Sequence, residues 1–196
     1  MGNSFYGRQY PLYVPPSHLE DLKAKITITT QMITTETELL TRRLVIFGAT
    51  GDLCKRKLIP ALFELWKKEL LPQDFLIVGA SRREIDRQTW LHSLGDYPHE
   101  FTAWLDFVSC DLACEESLNQ LHDKSADTTY FLSVPPNTYA DAITNLKNAG
   151  FLDDPKRSRV VIEKPFGYDY KSANYLQSVV ERHLREKQVY RIDHYL

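Results

Sequence analysis

The sequence predicts an α/β fold in which helices cover both faces of a doubly wound, mainly parallel sheet. Three observations carry that expectation. Short, continuous apolar runs alternate with longer stretches of helical period; the runs have the length of strands buried on both faces; and a glycine-bearing turn joins the first run to the first helix. Strands of this kind are joined by right-handed crossovers, which leave neighbouring strands parallel.

Residues 44–47 (LVIF) read as the first strand, 52–68 as a helix and 75–78 (FLIV) as the second strand, a βαβ unit. Further buried-strand candidates are residues 107–109, 130–134, 159–162 and 189–192. Between them, residues 83–94, 115–122, 138–149 and 169–185 carry helical patterning, with Gly150 placed to end one helix and Asp169 to cap another. Sheets of this class hold ligands at the carboxyl ends of their strands. Residues 1–41 differ: Pro11, Pro15 and Pro16 precede a Thr-rich stretch over 27–41, which reads as a loosely ordered extension with a weak amphipathic helix over 18–28. Residues 42–196 are then the globular domain.

Composition sets the function classes. With 196 residues, 43% hydrophobic and 26% charged, the chain builds one core with an appendage. The net charge is −2 and the cations are scattered, which argues against nucleic acid and for any recognised phosphate being on a small molecule. Cys54, Cys110 and Cys114 are odd in number, lack C-x-x-C spacing and have no histidine nearby, so neither zinc nor a disulfide scaffold is expected and a reducing cytoplasm is. The apolar runs are a few residues long, against about 20 for a membrane span. No signal peptide precedes them, and Tyr6 stands where an acylation signal at Gly2 wants Ser or Thr.

The chemistry-bearing motifs all fall at strand ends. Gly48-Ala49-Thr50-Gly51-Asp52-Leu53 follows the first strand and opens a helix, the context of a dinucleotide phosphate turn. The G-x-x-G spacing alone is equally that of an ordinary strand-to-helix turn; the flanking elements favour the nucleotide. After the second strand comes Ser81-Arg82-Arg83, with no acid before Glu84. An acid there would bond an adenosine ribose, whereas a guanidinium suits a 2′-phosphate, so NADP is favoured over NAD, with dual use open. Val134-Pro135-Pro136-Asn137 makes a rigid turn after one strand, and Glu163-Lys164-Pro165-Phe166-Gly167 sets an ammonium after the next. Lys164 is a ligand for a sugar oxygen or phosphate, or simply a surface lysine. Arg191-Ile192-Asp193-His194-Tyr195-Leu196 gathers an acid, an imidazole and a phenol.

Taken in order, G-A-T-G-D-L, S-R-R, V-P-P-N-T-Y, E-K-P-F-G and R-I-D-H-Y-L resemble the glucose-6-phosphate dehydrogenase family over residues 44–196. The resemblance implies a Rossmann-like, NADP-binding domain in which Gly48, Ala49, Thr50, Gly51, Asp52 and Leu53 line the phosphates and Arg82 meets the 2′-phosphate. It implies that Tyr139 and Lys164 flank the nicotinamide, that Lys164, His194 and Tyr195 bind glucose 6-phosphate, and that Asp193 orients the histidine that takes the C1 hydroxyl proton as 6-phosphogluconolactone forms. An acid-oriented imidazole of near-neutral pKa is suited to that task.

In that family the base histidine and the substrate and oligomer domain lie downstream. The chain is therefore expected to be a truncated or vestigial cofactor-binding portion, inactive alone and oligomeric only with that domain. A stand-alone NADP-binding module is the alternative. A short-chain dehydrogenase would share G-A-T-G but uses Y-x-x-x-K, and no tyrosine here is followed four residues later by lysine.

Overall fold

The computed structural model describes residues 42–192. The expected extension over 1–41 and the run containing Asp193, His194 and Tyr195 lie outside the described residues.

Six strands form one sheet: β1 (Arg43–Phe47), β2 (Leu76–Ser81), β3 (Leu105–Ser109), β4 (Thr128–Leu132), β5 (Ser158–Glu163) and β6 (Val189–Ile192). Their spatial order is β3-β2-β1-β4-β5-β6, and every pairing is parallel. The doubly wound, Rossmann-like expectation holds. All five residues of β1 are buried. Because side chains alternate across a strand, Leu44 and Ile46 enter one core with Leu62, Leu65 and Phe101, while Val45 and Phe47 enter the other with Ile143, Leu146 and Val179.

The helix after β1 spans residues 52–67, but Cys54–Leu58 is π-helical and only Ile59–Lys67 (α1) continues as a regular α-helix. Pro60 supplies the reason: it has no N–H for the Arg56 carbonyl and its ring would collide with that carbonyl in a normal turn, so the turn widens. Helix α2 (Arg87–Leu94) begins later than residue 83 because Asp86 caps it, accepting the Thr89 amide at 2.7 Å. A single turn, α3 (His99–Thr102), was not anticipated from the periodicity. The expected helix over 115–122 is shorter, α4 (Glu115–Leu118) followed by a 3-10 turn at Asn119–Leu121.

Helix α5 (Tyr139–Asn148) ends as expected at Gly150, with the Gly150 and Phe151 amides on the Lys147 and Leu146 carbonyls at 2.9 Å each. Helix α6 (Tyr170–His183) is capped by Asp169, which accepts the Ser172 amide at 2.7 Å while the Ser172 hydroxyl accepts the Asp169 amide at 3.0 Å. Among the described residues no helix is long and apolar enough to cross a membrane.

One contact fixes the turn after β1. Gly79, inside β2, has no side chain, and a Cβ added there would come within 2.5 Å of the Trp90 ring. The fully buried indole therefore lies against the strand, and its Nε1–H donates to the Ala49 carbonyl at 3.0 Å. The Ala49 amide donates in turn to the Ala80 carbonyl at 3.1 Å. Two consequences are expected. Gly79→Val should destabilise the chain by roughly 3 kcal/mol through overpacking, and Trp90→Phe by about 1–3 kcal/mol by leaving a buried carbonyl unpaired. Urea unfolding reads both, and unchanged midpoints would remove the wedge from the account.

Candidate functional site

The winding of the sheet reverses between β1 and β4, the place where open α/β sheets leave a crevice at their carboxyl ends. The 48–51 turn forms its floor. Gly48 has φ +80°, and a Cβ there would lie 2.0 Å from the Ser133 carbonyl oxygen beyond β4, so the chain passes only as glycine. The Gly48 amide donates to Ala80 at 2.9 Å and the Gly51 amide to Gly48 at 2.9 Å, which closes the turn. A helix opens directly after it, and the first amides of a helix have no partner within it, an arrangement suited to a phosphate.

The crevice holds about 400 Å³, within the range of small-molecule sites. It is lined by Thr50 and Gly51 of the turn, by Ser81, Arg82 and Arg83 after β2, by Asp111 and Leu112 after β3, and by Pro135 and Thr138 after β4. Thr50 Oγ1 lies 3.1 Å from Ser81 Oγ. Arg82 is exposed and makes no hydrogen bond or ion pair with protein among the described residues. Cys110 also lines the crevice; burial, aided by the neighbouring Asp111, pushes its thiol up to about 11, so it is an uncharged wall group near neutral pH. No histidine among the described residues lines the crevice. His183 stands on α6, where burial and then the charges of Arg182 and Lys147 lower its pKa.

The structure gathers Gly48, Thr50, Gly51 and Arg82 around one space. It does not bring all the sequence candidates there. Ala49 is fully buried with its amide on Ala80 and its carbonyl accepting from Trp90, so it shapes the turn. Asp52 is exposed and Leu53 half-buried, and neither side chain lines the crevice; what they can contribute is the backbone at the helix start. Tyr139 is 2% exposed and turned away, its hydroxyl bonded to the Glu163 backbone and raised to about 12 chiefly by burial. Its neighbour Thr138 is the crevice residue.

Lys164 is exposed beyond β5, outside the crevice lining, in a cis peptide bond with Pro165. Its amide donates to the Ile192 carbonyl at 3.1 Å, so it stands beside the strand end from which the sequence continues to Asp193, His194 and Tyr195. Sequence reasoning missed Trp90, Ser133 and Ser81. The first two act across the fold and leave no local signal, whereas Ser81 was within the quoted motif but overshadowed by its arginines.

Comparison with known proteins agrees with this geometry. The family model described as "Glucose-6-phosphate dehydrogenase, NAD binding domain" matches residues 45–196. A glucose-6-phosphate 1-dehydrogenase of Aggregatibacter actinomycetemcomitans is 37% identical over 78% of this chain and 35% of its own length. A crystal structure of the Mycobacterium avium enzyme superposes with a TM-score of 0.69 at 29% identity, covering 78% of this chain and 35% of that one. A glucose-6-phosphate dehydrogenase solved with its substrate superposes with a TM-score of 0.71 at 27% identity, covering 82% and 38%. The chain spans about a third of the length of the curated relatives it matches. It belongs to the glucose-6-phosphate dehydrogenase family, as the nicotinamide-dinucleotide-binding domain of that family.

Proposed function

We propose that this chain holds NADP in a glucose-6-phosphate dehydrogenase that oxidises glucose 6-phosphate to 6-phosphogluconolactone. The observation that carries the choice of NADP is Arg82, an exposed guanidinium on the crevice wall without a protein partner among the described residues, on a turn with no carboxylate before Glu84. A 2′-phosphate matches that fork, and a bare ribose hydroxyl would call for an acid instead.

The crevice residues fit a dinucleotide. The amides after Gly51 would hold the diphosphate, and Arg82, with Thr50 beside Ser81, would face the 2′-phosphate. The bound nicotinamide supplies a hydride acceptor for C1 of the sugar. Lys164 belongs on the sugar side, where its ammonium would neutralise a phosphate or orient a hydroxyl. His194 and Tyr195 would hold the sugar phosphate, and Asp193 would orient the histidine that takes the hydroxyl proton. A cofactor-binding module without turnover is the second reading.

Two outcomes test these assignments. In calorimetric titrations, Arg82→Ala should weaken NADP by about tenfold, as expected for one charge-assisted contact, with little change for NAD; parallel losses would sink the 2′-phosphate assignment. The 196-residue chain by itself should bind NADP yet form no NADPH with glucose 6-phosphate above blank. Sustained turnover in a spectrophotometric assay would mean that the chain carries its own base.

A further inference from the structure

We propose that Ser81 is a positioning residue for cofactor choice: its hydroxyl couples Thr50 of the phosphate turn to the Arg82-Arg83 turn and strengthens the grip on a dinucleotide bearing a 2′-phosphate. This rests on the NADP reading above. Ser81 ends β2 and is only 8% exposed, yet it lines the crevice together with Thr50, Arg82 and Arg83. Its Oγ lies 3.1 Å from Thr50 Oγ1 and accepts the Arg83 amide at 3.3 Å. The Arg83 carbonyl is held from β3 by the Ser109 hydroxyl at 3.0 Å. One network thus joins the ends of three adjacent strands, β1 through its turn, then β2 and β3.

The order of protons in that network depends on the ligand. A phosphate near neutral pH presents acceptor oxygens, so an anion touching Thr50 accepts a hydrogen bond from its hydroxyl. Thr50 Oγ1 then has lone pairs to offer and accepts a hydrogen bond from the Ser81 hydroxyl, while Ser81 Oγ accepts one from the Arg83 amide. Each hydroxyl donates toward the anion and the dipoles reinforce one another. A ribose hydroxyl both donates and accepts, so it imposes no such order and gains less from it. The same Ser81 bond holds the backbone of the turn that carries Arg82, so the guanidinium is presented from a fixed base and loses less freedom on binding.

The test uses the 196-residue chain, isothermal titration, and three probes: NADP, NAD and adenosine 2′,5′-bisphosphate. Ser81→Ala is expected to lose roughly fivefold in affinity for NADP and for the bisphosphate, the scale of one hydrogen bond, with NAD unchanged and Ser81→Thr restoring the wild-type ratio. Thr50→Val cuts the same relay from the crevice side and should show the same selective loss, and adding Ser81→Ala to it should cost less than Ser81→Ala costs alone. Thermal melts of each variant accompany the titrations. Equal losses for NAD and NADP, additive losses in the double variant, or no loss at all in Ser81→Ala overturn the relay. If Arg82→Ala still loses NADP selectively in that case, the NADP reading stands and the relay alone falls. If neither variant changes the ratio, both fall together.

Discussion

The site depends on the Trp90 indole seated against Gly79 and bonded to the Ala49 carbonyl. Without a side chain at Gly79 the ring reaches the back of the phosphate turn, and with the indole in place both backbone polar groups of Ala49 are engaged within the protein. The turn is therefore held from below by Trp90 and from the side by the Ala80 carbonyl, which accepts both the Gly48 and Ala49 amides. On the other side the Ser133 carbonyl stands where a Gly48 Cβ would be. A turn fixed on three sides has little freedom left to lose when a ligand arrives, which is the physical meaning of a preformed site.

Much of the fold was legible because its signals are local. Each strand's run of apolar residues is visible in the sequence, and β1 shows why: all five of its residues are buried, split by alternation between two cores. Departures have local causes of other kinds. Asp86 caps α2 and so overrides the helical period of the residues before it, and Pro60 forces Cys54–Leu58 into a wider turn. Periodicity counts apolar spacing, and neither a cap nor a missing amide changes that spacing.

The candidate site divides in the same way. Gly48, Thr50, Gly51 and Arg82 are neighbours of strand ends, so the chain order that identifies the strands also delivers them to the crevice. Ala49 and Tyr139 belong to the same motifs but point elsewhere, because a motif fixes the backbone path and burial decides which side chains face the ligand. Thr138, one residue before Tyr139, takes the place on the wall. Long-range partners such as Trp90 and Ser133 carry no mark in the sequence, since their role comes from which strands become neighbours.

Strand adjacency also explains how two motifs far apart in sequence become one edge. In a parallel pair the carboxyl ends lie side by side, and the register sets Glu163 against Ile192. Lys164 is thereby hydrogen-bonded through its amide to the last described residue of β6, although neither motif predicts the other. The phosphate turn stands two strands away, after β1, with β4 between it and β5. A ligand long enough to lie along the carboxyl edge could meet the cations of the β2 turn at one end and Lys164 at the other, with β1 and β4 beneath its middle. The physical basis for a shared ligand is thus the strand order itself, which converts a separation along the chain into a distance across the sheet.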